Sequence, residues 1–101
     1  MILYNITFNI ETDIQEEWLG WMNQYYLPFV LNTSLFSEVN LYRLLNEAEN
    51  DGLTYSVQFF SDSLAKVNSY LENYAPEITD KHNHTFRHKH VSFMTILESV
   101  N

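Results

Sequence analysis

Residues 1–26, MILYNITFNIETDIQEEWLGWMNQYY, change their hydrophobic period once, and that change decides the fold. Ile2, Tyr4, Ile6, Phe8 and Ile10 alternate with Leu3, Asn5, Thr7, Asn9 and Glu11. Successive strand side chains point to opposite faces, so Met1–Glu11 reads as a half-buried strand. Apolar residues then recur at helical spacing: Ile14, Trp18, Trp21, Met22 and Tyr25 share one face. Asp13 stands where an N-cap is expected, and Glu16 completes a capping-box spacing. Pro28 disfavours helical backbone at Leu27, which predicts a helix ending near Tyr26 and a short restart at Pro28.

Working outward, Phe36–Glu47 reads as the second strand. Val39, Leu41 and Leu45 point one way, and Glu38, Asn40 and Tyr42 the other. Asn46–Gly52 is a polar hairpin loop with Asp51-Gly52 as its turn. Leu53–Ser61 is the third strand, with Tyr55, Val57 and Phe59 on one face and Thr54, Ser56, Gln58 and Phe60 on the other. Ser61 or Asp62 caps a second helix whose buried stripe is Leu64, Val67, Leu71 and Tyr74. Pro76 interrupts that helix and restarts it, placing Ile78, His82 and Phe86 on one face. Val91–Val100 closes the chain as a strand with Val91, Phe93 and Leu97 on one face and Ser92, Met94 and Ile96 on the other. The order strand, helix, strand, strand, helix, strand is the split βαβ, or ferredoxin-like, α+β plan. It implies a four-stranded antiparallel sheet with both helices on one face.

A chain of 101 residues holds one core, so residues 1–101 are read as a single domain. Apolar residues make up 46% and aromatics 16%, enough to build it, and two Gly with two Pro argue against disorder. The absence of cysteine excludes a disulfide, a zinc–thiolate centre and a thiol nucleophile. A net charge of −8 makes nucleic acid and anionic membranes poor partners. No apolar run approaches the ~20 residues that span a bilayer. The first residues enter a strand without a basic, apolar or cleavable leader, and the chain reads as soluble and cytoplasmic.

The strand faces turned away from the helices collect Leu3, Asn5, Thr7, Asn9, Phe36, Tyr42, Gln58, Phe60, Met94 and Ile96. This surface is too apolar to stay solvated and too polar for a closed core. Such a patch marks an interface or a ligand groove, and a second copy of the chain is its simplest cover.

The segments MILYNITFNI, EEWLGWMNQYYLPFVL, LTYSVQFF and HVSFMTILE resemble the dimeric α+β barrel superfamily over essentially the whole chain. They also resemble an uncharacterised bacterial family known only as a domain of unknown function. The resemblance implies a homodimer paired sheet to sheet, with a small molecule or partner held at the open sheet face. Superfamily relatives range over cofactor-free oxygenases, haem degraders, isomerases and proteins without known activity, so chemistry does not follow from the likeness.

Candidate residues sort by face. Asn5, Thr7, Asn9, Tyr42, Gln58, Phe60 and Met94 are the expected ligand-binding set. Asn5, His82 and Tyr42 are the catalytic candidates, able to polarise or deprotonate a phenolic or other aromatic substrate without a bound cofactor. The plain alternative for Asn5, Thr7 and Asn9 is a hydrated dimer interior. The run KHNHTFRHKH, residues 81–90, holds all four histidines and suggests haem or metal. His88 and His90 would share a strand face, whereas His82 and His84 diverge on a helix; no carboxylate completes a set, and no metal site is assigned. Some haem-degrading relatives combine a strand asparagine, a helix tryptophan and a histidine before the last strand; Asn5 and His82 or His84 match, but the second helix has no tryptophan. Tyr70 and Tyr74 stand there instead, and Trp18 and Trp21 lie in the first helix.

Overall fold

The computed structural model describes residues 1–46 and 52–101. Strand β1 runs Ile2–Ile10, β2 Glu38–Arg43, β3 Leu53–Ser61 and β4 His90–Glu98. They form one antiparallel sheet in the order β2-β3-β1-β4. Helical segments α1 (Gln15–Trp21), α2 (Leu27–Asn32), α3 (Leu64–Asn73) and α4 (Ala75–Thr85) cover one sheet face. The fold is therefore the ferredoxin-like α+β arrangement.

The first helix does not end near Tyr26. A 3-10 turn at Thr12–Ile14 leads into α1, and a π-turn at Met22–Tyr26 joins α1 to α2 without a break. The Leu27 N–H reaches back to the Met22 carbonyl, one residue further than in an α-helix. That wider turn precedes Pro28, which lacks an N–H and would crowd the carbonyl four residues back. It also changes which side chains face inward. Each four-residue step in an α-helix overshoots one turn by about 40°. The π-turn absorbs the drift, so Ile14, Trp18, Met22, Tyr26 and Val30 are all buried. Tyr25, expected on that face, is exposed.

The expected caps also shift. Asp13 lies inside the 3-10 turn, and its carboxylate accepts from Lys89 Nζ at 3.0 Å. That contact, with Glu11 adding to it, raises the Lys89 pKa. Helix α3 is capped by Ser63, whose hydroxyl accepts from the Lys66 N–H at 3.2 Å. Ser61 is buried and donates to the Leu35 carbonyl at 3.0 Å. Pro76 sits in the first turn of α4, where its missing N–H costs nothing.

Strand β2 is shorter than the expected Phe36–Glu47, and the part of that strand and of the Asn46–Gly52 loop at 47–51 lies outside the described residues. Phe36 is not on the open face. It precedes β2, is buried, and packs against Phe59 and Tyr70 at ring distances of 5.4 and 5.1 Å. Leu45 follows the end of β2 and is exposed, where the alternation placed it in the core. Gly52 opens β3 at φ +77°, and a Cβ there would lie 2.6 Å from the Ile10 carbonyl oxygen. Gly52→Ala is expected to lower the urea midpoint by the equivalent of about 1–3 kcal/mol. An unchanged midpoint would mean that the backbone relaxes freely there.

Strand β4 reverses its expected faces. Its register pairs Met94 with Ile6, Ile96 with Tyr4 and Ser92 with Phe8, all on the helix side. Val91, Phe93 and Leu97 therefore stand on the open face beside Asn9, Thr7 and Leu3. The reversal has a physical cause. β4 is an edge strand, and residues 91–98 are exposed on both faces, so burial does not sort its two apolar sets.

Candidate functional site

The register lays out the open face in rows across the sheet. Tyr42, Ser56, Thr7 and Phe93 form one row; Asn40, Gln58, Asn5 and Thr95 form the next. Glu38, Phe60, Leu3 and Leu97 follow. Asn5, Thr7, Asn9, Tyr42, Gln58 and Phe60 thus share one surface, as their alternation predicts. Met94 does not join them. Hydrogen bonds tie the middle of this surface together. Ser56 Oγ donates to Asn5 Oδ1, Asn5 Nδ2 donates to Thr7 Oγ1 at 3.1 Å, and Asn9 Nδ2 donates to Thr54 Oγ1 at 3.0 Å. Around this polar ladder, Val91, Phe93 and Leu97 are 69%, 64% and 53% exposed. No helix covers them among the described residues.

His82 lies on the other side of the sheet. It cannot meet Asn5 or Tyr42 over one substrate. α4 carries it onto β1, where its ring packs 4.9 Å from Phe8 and 5.4 Å from Phe86. Trp18, fully buried on α1, donates its indole N–H to His82 Nε2 at 2.8 Å. An indole nitrogen can only donate, so Nε2 carries the lone pair and the imidazole proton sits on Nδ1. Nδ1 then donates to Asn83 Oδ1, 3.2 Å away. Burial pushes the His82 pKa down to about 4; the Asn83 bond opposes the shift and His90 adds to it. The His90 ring stands edge-on at 4.5 Å, and burial lowers its pKa too.

Trp18 and His82 are 64 residues apart, and the spacing of neither announces the pair. One signal was available. A buried indole N–H requires an acceptor, and His82 is the polar residue on the apolar stripe of α4.

Beside this pair a cleft of about 240 Å³ opens between α4 and β4. Ile6, Phe8 and Tyr26 lie at its buried base, and Thr79, Asn83 and Ser92 are polar residues lining it. Met94 also lines this cleft, so it adjoins His82 rather than the open face. Thr79 and Asn83 carry no periodic signal, and the expected facing of β4 put Ser92 on the opposite side of the sheet.

The remaining histidines do not assemble a metal centre. His88 lies in the turn before β4 at φ +65°, so it does not share a strand face with His90. His84 Nδ1 contacts the Arg87 guanidinium at 3.2 Å. Among the described residues, no three metal-ligating side chains converge.

Residues 1–100 match the family described as a domain of unknown function, DUF4286. The chain belongs to that family. No curated protein matches the sequence. Solved structures similar to this DUF4286 chain include a dimeric ferredoxin-like protein from an uncultured marine organism, at 9% identity and TM-score 0.75, covering 99% of this chain and 95% of that one. A dimeric protein of unknown function and ferredoxin-like fold from Bacteroides fragilis is 16% identical, TM-score 0.59, with 97% and 96% covered. SnoaB, a cofactor-independent oxygenase from Streptomyces nogalater, is 13% identical, TM-score 0.63, with 99% and 93% covered. At these identities the likeness of the DUF4286 chain to all three is one of fold.

Proposed function

We propose that this DUF4286 chain is a single-domain homodimer that binds a small molecule. Two copies face each other through their open sheet surfaces around a two-fold axis, in the cytoplasm. The observation that carries the reading is the exposed Val91, Phe93 and Leu97 stripe beside the self-satisfied polar ladder of Asn5, Thr7 and Ser56. Burying apolar area contributes about 25 cal/mol per Å², so a stripe of three large side chains favours association. The ladder can be buried with it because its members already bond one another. Two of the similar solved structures are described as dimeric, which supports a dimer. A face mixing apolar residues with amides suits an isologous contact, in which each patch meets its own copy.

Light scattering at micromolar concentration is expected to give twice the chain mass. Phe93→Asp with Leu97→Asp places charges inside the contact of an already acidic chain, and is expected to give the mass of one chain with an unchanged far-ultraviolet spectrum. A wild-type protein that scatters as a single chain would overturn the dimer.

Cofactor-free oxygenation of an aromatic compound is the second reading. His82 beside the cleft favours it, as does the likeness to SnoaB, a cofactor-independent oxygenase. In this geometry His82 does not deprotonate; Trp18 holds its lone pair and Asn83 its proton, so it acts by positioning Asn83 at the cleft. Oxygen consumption on phenolic substrates that is abolished in His82→Gln would support the enzyme over the binder.

A further inference from the structure

We propose that the α4–β4 cleft is the ligand site, and that it takes a neutral molecule of one ring carrying a hydrogen-bond acceptor such as a carbonyl. The assignment rests on the small-molecule half of the functional reading and is independent of the dimer.

Size sets the first limit. A cavity of about 150 Å³ lined by apolar side chains holds a benzene. At about 240 Å³ this half-open cleft has room inside it for one ring and a short substituent. The base sets the second. Ile6, Phe8 and Tyr26 are nearly fully buried there, so the deep end offers apolar and aromatic surface to a ring.

Charge sets the third. Among the described residues, no carboxylate, lysine or arginine lines the cleft. The imidazole of His82 stays neutral because the Trp18 N–H occupies Nε2. A carboxylate or ammonium drawn down to the apolar base would leave water without meeting a counter-charge, which is costly.

The polar residues set the fourth. The Asn83 amide oxygen already accepts from His82 Nδ1, and its N–H₂ adds two donors. Thr79 and Ser92 add hydroxyls. The Asn83 N–H₂ and the two hydroxyls can all donate to one acceptor on the ligand, and the hydroxyls can accept as well. Met94, 52% exposed on the strand that walls the cleft, has a flexible side chain that can adjust to different rings.

The test uses the intact chain, ¹⁵N-labelled, titrated with four probes of similar size at neutral pH: acetophenone, ethylbenzene, benzoate and benzylamine. Acetophenone is expected to give saturable shifts at Thr79, His82, Asn83, Ser92 and Met94. Ethylbenzene, without the acceptor, and the two charged probes are expected to bind at least tenfold more weakly. Ser92→Trp fills the cleft from an exposed strand position that tolerates an aromatic residue, and is expected to abolish the shifts while leaving the scattering mass unchanged. Asn83→Leu, on the exposed side of α4, is expected to bring acetophenone down to the level of ethylbenzene. Benzoate or benzylamine binding as well as acetophenone would overturn the ligand class. Saturable shifts confined to Leu3, Asn5, Thr7 and Gln58 would move the site to the open face, leaving small-molecule binding in place and removing the cleft. No saturable shift with any probe overturns both.

Discussion

Trp18→Ala is expected to bring the protein close to unfolding at neutral pH. The indole is fully buried, with ring centres 5.4 Å from Phe8 and 5.0 Å from Tyr55, so α1, β1 and β3 meet on it. Truncating a buried Trp costs about 3–5 kcal/mol, through lost transfer energy and the cavity left behind. The same change strips His82 Nε2 of its donor, adding about 1–3 kcal/mol for a buried polar atom left unpaired. Small domains hold only about 5–15 kcal/mol in total, so the sum is a large share of what exists. Urea unfolding followed by circular dichroism reads the loss. Trp18→Phe separates the contributions: it keeps most of the ring, removes the donor, and is expected to cost about 2 kcal/mol. A Trp18→Ala protein within that smaller loss would show that this ring is not the centre of the core.

Acid is expected to weaken the fold before most carboxylates are protonated, and His82 is the cause. Its pKa is about 4 in the folded chain against 6.5 for an ordinary histidine. Between those values the unfolded chain binds a proton that the folded chain refuses, so stability falls as pH drops from about 6.5 to about 4. Below about 4 both states bind it and the contribution is flat. The shift corresponds to about 3 kcal/mol for this nearly inaccessible ring. His90, lowered by burial, acts in the same direction. Protonated His82 also loses the Trp18 bond, because two donors would then face each other. Urea midpoints at pH 7, 5 and 4 measure the slope. His82→Gln supplies a non-titrating acceptor for Trp18, and its pH profile is expected to be flatter than wild type by that amount. Parallel profiles would remove His82 as the origin of the acid limb.

The two experiments bear on one object, the Trp18–His82 bond, and they show why the candidate site was only half legible. Asn5, Thr7 and Gln58 could be placed on one surface because strand alternation fixes facing without knowledge of neighbours. Ile78, His82 and Phe86 could be placed on one helical stripe for the same reason, and all three are buried. What alternation could not do was set those two groups relative to each other. They turned out to lie on opposite sides of the sheet. The cleft residues Thr79, Asn83 and Ser92 are ordinary polar positions on a helix and a strand, and they matter only because α4 and β4 come side by side.

The sequence by itself determined the order of elements, the helix-covered faces of β1 and β3, the buried stripe of α4 and the existence of a half-apolar sheet surface. Each follows from the period of side chains along a single element, which neighbouring residues impose on one another. Only the tertiary structure decided which face of β4 looks outward, how the π-turn rotates Tyr26 inward past Pro28, and that Trp18 finds His82. Those depend on inter-strand register and on a buried donor's need for an acceptor, both settled by the packing of distant segments. An edge strand apolar on both sides, or a helix carrying an extra residue in one turn, satisfies its local pattern in more than one way. The choice falls to whatever it packs against.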